Sequence, residues 1–247
     1  MRYFLQLAYH GKNYCGWQRQ DNAISVQEMI EEKLAQLLAE KTSIIGCGRT
    51  DAGVHAHDYY AHFDTEKTLV DDFLYRINSM LPNDIAIKNY FEVDDSLHAR
   101  FDAISRTYKY FIHTEKNPFL EEQSFCWNKP LDIEKMNHCI QQLLGEYDFS
   151  TFEKKGSDNK TSICVLKEAY WQTTENGFVF TITANRFLRN MVRRITAALL
   201  MVGNGTLDEE KVIQAVKQKQ ALDVKLAVPA KGLFLWKITY PNAINNP

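Results

Sequence analysis

The period of the apolar residues switches between two and about 3.6, twice over, along this chain, and no other feature limits its fold so much. Residues 2–10 put Tyr3, Leu5, Leu7 and Tyr9 on one side, the pattern of a half-buried strand. Ser25-Val26-Gln27-Glu28 has the spacing of a capping box, where a serine hydroxyl and a glutamate satisfy free amides at a helix start. Behind it Val26, Met29, Ile30, Leu34, Leu37 and Leu38 recur at helical spacing, which predicts an amphipathic helix over 26–39. A strand is expected over 57–64, a helix over 70–80, a turn at Pro82-Asn83-Asp84, and strands over 85–92 and 106–113. The theme then repeats. Asp132 is placed to cap a helix carrying Ile133, Met136, Ile140 and Leu143, stopped by Gly145. Strands over 162–172 and 178–184 follow, then helices over 186–202 and 208–219 and a closing strand over 233–240. Two similar runs of mixed strands and helices indicate an α+β protein in two related halves, 1–105 and 106–247.

Composition narrows the class of partner less than its distribution does. With 45% hydrophobic and 24% charged residues the chain reads as a soluble globular protein, and no apolar run approaches the roughly 18 residues of a membrane span. Met1-Arg2-Tyr3-Phe4 enters an alternating pattern without a signal-peptide core. The five cysteines are scattered, with no CxxC pair, so neither a disulfide framework nor a thiolate zinc site is indicated, and a reducing cytoplasm is the expected location. The net charge of −2 neither favours nor excludes nucleic acid. Between Glu175 and Asp208, however, there is no acidic residue, and Arg186, Arg189, Arg193 and Arg194 cluster there. Screening confines exposed charges to about 8 Å at physiological salt, so a local basic patch can bind phosphate on a mildly acidic protein.

Residues 46–56 read Gly46-Cys47-Gly48-Arg49-Thr50-Asp51-Ala52-Gly53-Val54-His55-Ala56. Glycines among small residues let a backbone turn sharply and approach a ligand closely. A carboxylate beside Arg49 in such a loop suits a nucleophile, a metal ligand or a turn-former that bonds its own backbone, and spacing alone leaves the three open. Nearby His55, His57 and His62, with Asp51 and Asp58, offer a feasible but incomplete metal set; no metal is expected, and His55 is read as shaping the loop.

The string Gly48-Arg49-Thr50-Asp51-Ala52-Gly53-Val54-His55 resembles the active-site motif of the TruA family of tRNA pseudouridine synthases. Other segments match in order. Tyr9-His10-Gly11 through Gly16-Trp17-Gln18-Arg19-Gln20 resembles the N-terminal motif, and His98-Ala99-Arg100-Phe101 with Arg106-Thr107-Tyr108-Lys109-Tyr110 resembles the middle one. Gly145-Glu146-Tyr147-Asp148-Phe149, Asn185-Arg186-Phe187 through Met191-Val192-Arg193, and Gly232-Leu233-Phe234-Leu235 are similar to the later motifs. Two departures stand out: Asp58-Tyr59 replaces a common Gly-Gln pair, and Lys160-Thr161 replaces Arg-Thr.

The resemblance implies two ferredoxin-like halves forming a mixed, largely antiparallel sheet with helices packed on it, a central cleft, and one catalytic unit. It implies an isomerase, a homodimer without cofactor or metal, that acts on the tRNA anticodon stem-loop at positions 38–40 (tRNA numbering). On this resemblance Asp51 is the nucleophile, attacking uracil or ribose, and Arg193 is its counter-charge. Tyr108 stacks on the target uracil, and Arg49 contacts RNA or helps to flip the base. If 186–202 is one helix, Arg186, Arg189 and Arg193 share a face opposite Leu188, Val192, Ile195 and Leu199, so Arg186 and Arg189 are expected to touch phosphate. The rival readings are a non-catalytic RNA-binding or folding-assistance protein and a metal-dependent hydrolase using the histidines.

Overall fold

A computed structural model describes residues 1–154, 156, 160–222 and 227–241. In chain order these contain β1 (Arg2–Tyr9), α1 (Val26–Leu38), β2 (Ile45–Gly46), β3 (His55–Asp64), α2 (Phe73–Met80), β4 (Ile85–Val93), β5 (Ser105–His113) and β6 (Phe125–Cys126). Then come α3 (Ile133–Gln141), β7 (Gly145–Asp148), β8 (Ile163–Thr174), β9 (Gly177–Ala184), α4 (Met191–Gly203), α5 (Glu209–Lys217) and β10 (Leu233–Thr239). The fold is α+β. The chain forms two compact units, Met1–Ile104 together with the chain from Phe234 onward, and Ser105–Leu233.

In the first unit the sheet runs β4-β1-β3-β2 with every neighbour antiparallel, the ferredoxin-like order for a β-α-β-β-α-β chain. β10 lies parallel to the start of β3, with Phe234 opposite His55 and Leu235 opposite Ala56. The Ser25 hydroxyl caps α1 by accepting the Glu28 amide at 3.2 Å, and Val26, Ile30, Leu34 and Leu38 form its buried stripe. β1 is the central strand, which is why Tyr3, Phe4, Leu5, Leu7 and Tyr9 are all buried and its pattern is fuller than simple alternation. Leu7 pairs with Tyr59 but Tyr9 with Ala56, so β3 carries one extra residue, a bulge at 57–58.

The second unit orders its strands β5-β9-β8-β7, all antiparallel, with β6 parallel beside β5. Asp132 caps α3 by accepting the Lys135 amide at 2.9 Å. α4 buries Met191, Val192, Ile195, Leu199, Leu200 and Val202, and burial of each large apolar side chain contributes about 1.5–3 kcal/mol.

The structure differs from the sequence expectations at three places. The helix expected over 186–202 begins only at Met191, because Asn190 adopts a left-handed conformation (φ 62°) that an α-helix does not continue through. Arg186 and Arg189 therefore precede the helix, and the three-arginine helix face does not exist. Gly145 does not stop α3, which ends at Gln141; at φ 103° it turns the chain into β7 instead. β2, β6 and β7, of two to four residues, are too short to show a period of two.

Candidate active site

In the first unit Asp51 lies in the connection between β2 and β3. The Val54 amide donates to the Asp51 carbonyl at 3.1 Å, closing a four-residue turn whose third member, Gly53, has φ 76°, the position at which a type II turn requires glycine. The bland reading of Asp-Ala-Gly as a turn-former is thus correct for the backbone of Asp51. Its side chain is half-buried, and that of Arg49 is exposed.

The N-terminal motif holds this turn from behind. A Cβ on Gly11 would stand 2.0 Å from the Val54 carbonyl oxygen, and one on Gly16 (φ 105°) 2.2 Å from that of Thr50, so backbone lies directly on backbone. The Trp17 amide donates to the Thr50 carbonyl, the Gly53 amide to the Tyr14 carbonyl, and the Gly11 amide to His55 Nδ1 at 3.0 Å. Beneath the loop Trp17 stacks on Tyr59 at 4.1 Å, and Tyr9 packs against both. The Tyr59 hydroxyl donates to the Gly48 carbonyl, while those of Tyr9 and Thr50 share a hydrogen bond of 2.8 Å. Tyr59, at one of the two departures from the family pattern, is therefore a brace. Asp84 holds the same segment from the far side: Tyr14 donates to it at 2.5 Å and Asn13 at 3.0 Å, and the burial that accompanies this contact raises the Tyr14 phenol's pKa.

The histidines near the loop are occupied with backbone and rings. His62 is buried, accepts the Ala99 amide at 3.1 Å, and is pushed down to about 4, chiefly by burial and then by Arg2 and His98. His57 stacks on Trp236. Among the described residues no three of His, Cys, Asp and Glu come together as a metal cluster.

The second unit supplies the remaining candidates. Tyr108 and Tyr110 share a face of β5, but their environments differ. Tyr110 is fully buried, donates to the Pro229 carbonyl at 2.8 Å, and has its pKa raised by burial against the opposing effect of the Arg193 guanidinium. Tyr108 is half-buried and meets Phe187 edge-on at 5.2 Å. Arg193, in the first turn of α4, is aimed by two contacts: Nε donates to the Val228 carbonyl at 2.8 Å and Nη1 to Asn190 Oδ1 at 3.2 Å. Arg193 and Tyr110 thus belong to one neighbourhood of this unit.

Arg186 is half-buried and Arg189 exposed. Asn185 organises the stretch before them: its Oδ1 accepts the Val165 and Arg186 amides at 2.8 Å each, and its carbonyl accepts Arg106 Nη1 at 2.8 Å. Sequence reading did not single out Asn185, Tyr9, Trp17 or Tyr59 for a role; all but Tyr59 stand inside the recognised motifs, which was the available signal.

A family model described as tRNA pseudouridine synthase matches residues 139–241. Relatives named tRNA pseudouridine synthase A match almost end to end. That of Azobacteroides pseudotrichonymphae is 46% identical over 245 residues, 98% of each chain. That of Parabacteroides distasonis is 45% identical over 245 residues, 98% of this chain and 97% of the relative, and that of Thermoanaerobacter sp. 37% identical over 235, covering 94% and 96%. Such agreement along both units defines an RNA-modifying isomerase. The chain belongs to the tRNA pseudouridine synthase family.

Proposed function

We propose that the protein converts uridine to pseudouridine at positions 38–40 of the tRNA anticodon stem-loop, with Asp51 as nucleophile. The isomerase reaction on tRNA follows from family membership. To this we add the modification site, the residue roles, a homodimeric state and a cytoplasmic location. Among the described residues, no helix is long and apolar enough to cross a membrane.

The observation that carries the reading is how the Asp51 loop is held. The braces land on Gly48, Thr50, Gly53, Val54 and His55, the neighbours of Asp51 on both sides, while Asp51 itself stays partly exposed. Isomerisation breaks an N–C glycosidic bond, turns the uracil and rejoins it through carbon. A carboxylate suits this, because it can attack carbon and still leave as a stable anion, and preorganisation keeps it aimed through both steps. Arg193 is assigned as the counter-charge that offsets the negative charge of the Asp51 carboxylate. Tyr108 offers its ring to the flipped uracil, replacing stacking lost from the RNA. Arg49, exposed on the same loop as Asp51, is assigned to RNA contact, as are Arg186 and Arg189.

Incubation with unmodified tRNA followed by chemical mapping should reveal pseudouridine at 38–40. Asp51→Asn keeps size and hydrogen-bonding capacity but removes the nucleophilic oxygen, so turnover should vanish while tRNA binding persists. Appreciable turnover by this variant excludes the nucleophile.

A further inference from the structure

One side of the β3–β10 pair carries a row of aromatic rings that the catalytic assignment leaves unused. The parallel register sets Phe234 beside His55, and the two rings stack at 4.5 Å and 28°. Two residues further along each strand, His57 lies on Trp236 at 4.2 Å and 14°. Trp236 meets Phe234 edge-on at 6.4 Å, and His10 closes the other end against His55 at 4.2 Å. His55 is buried, but His57 is exposed. The row therefore starts in the core behind the Asp51 turn and ends at the surface on a flat ring with a tryptophan beneath it. His57 also stands in the β3 bulge, a device that re-aims side chains and recurs beside active sites.

We propose that the exposed face of His57, backed by Trp236, is a stacking platform for an unpaired base of the RNA loop next to the target uridine. The proposal rests on the pseudouridine synthase reading. Position, charge and ring chemistry together identify the occupant. His57 follows Asp51 by six residues, at most ~20 Å of extended chain, and the turn at 51–54 shortens the path. Lys88 Nζ donates to the His57 carbonyl at 2.5 Å, which sets a cation at the platform's edge, where the phosphate of a stacked nucleotide needs one. The carboxylate of the adjacent Asp58 is engaged by Gln6 Nε2 at 2.7 Å. A bare ring face selects a π-surface without regard to base identity, which suits a site that grips the strand while the catalytic residues act on one uracil.

The test is equilibrium binding of an unmodified anticodon stem-loop RNA to the full-length protein and its His57→Ala and His57→Phe variants at two or more salt concentrations. Thermal melts check that each variant is folded. His57→Ala should raise Kd about 5- to 150-fold, and the slope of log Kd against log salt should be unaltered because no phosphate contact is removed. His57→Phe, which keeps a flat ring, should recover most of the loss. A wild-type Kd in His57→Ala overturns the platform, and so does a His57→Phe variant as weak as the alanine. Pseudouridine formation by the wild type, followed in parallel, separates the two readings: if none forms, the function reading fails, while the His57 binding comparison still decides the platform.

Discussion

Residues 46–55 and residues 185–190 face the same problem, presenting charged side chains from backbone that is largely outside regular structure, and they are held in different ways. The Asp51 loop is clamped by packing, with glycine backbone against its carbonyls, an aromatic cluster under it, and hydroxyls of Tyr9 and Tyr59 on its atoms. The stretch before α4 is held mainly through backbone groups: Asn185 Oδ1 takes two amides, the Arg189 carbonyl accepts the Lys154 amide at 3.0 Å, and Asn190 turns the chain into the helix. A clamp made of side chains and close backbone contact is lost when one of its members changes. A scaffold of backbone bonds survives replacement of the arginines it displays. Lesions around Asp51 should therefore damage catalysis and folding together, and lesions at Arg186 and Arg189 should damage binding alone.

The sharpest test of that contrast is Arg193, which lies just beyond the second stretch but is assigned to the chemistry of the first. Arg193 and Asp51 are both half-buried, so losing the counter-charge should cost less than the ~3–5 kcal/mol of a fully buried pair, and Arg193→Ala should lower the single-turnover rate at saturating tRNA by roughly two orders of magnitude. Arg193→Lys should restore only part, since an ammonium cannot make the two directed contacts to Val228 and Asn190. A normal saturated rate in Arg193→Ala moves this residue into the binding group.

Gly16→Ala probes the clamp itself. It combines a left-handed backbone with a Cβ driven into the Thr50 carbonyl, and about 3 kcal/mol or more of folding stability should be lost. Denaturant unfolding measures this; a loss below ~1 kcal/mol would mean that the loop yields easily and is not clamped.

A pH series tests the same unit at His62. Its folded pKa of about 4 lies below the unfolded value of ~6.5, so the unfolded chain takes up the proton first. The stability this residue supports is complete above pH 6.5 and falls as the pH drops towards 4, by up to ~3 kcal/mol. His62→Phe should flatten the curve across that window, and an unchanged slope there would assign the acid sensitivity to other groups.

Arg186→Ala with Arg189→Ala should give the smallest effect on chemistry. Each phosphate contact removed should lower the slope of log K against log salt by about 0.7–0.9, with the saturated rate nearly kept and the melting temperature little moved. A collapse of the saturated rate would erase the distinction between the two stretches.

How much of this was legible beforehand depends on the range of the interaction concerned. Among the described residues all five helices and the seven longer strands stand in the apolar period, because each needs only a face for the core and a local cap, as at Ser25 and Asp132. The Asp51 motif was equally legible, since its glycines and small residues sit side by side in the chain. The start of α4 was not. Residues 186–190 continue the helical spacing of α4 backwards, and the bonds of Asn185 to Val165, of Lys154 to Arg189, and the left-handed Asn190 keep them out of the helix. Tyr108 and Tyr110 were likewise equivalent in sequence, with the same residue type and parity. Tertiary packing buried one beneath Gly232 and Pro229 and left the other half open. Periodicity and capping act over a few residues and are written locally. Which ring is covered, and which loop is clamped, depends on segments distant in the chain, and only the folded structure decides them.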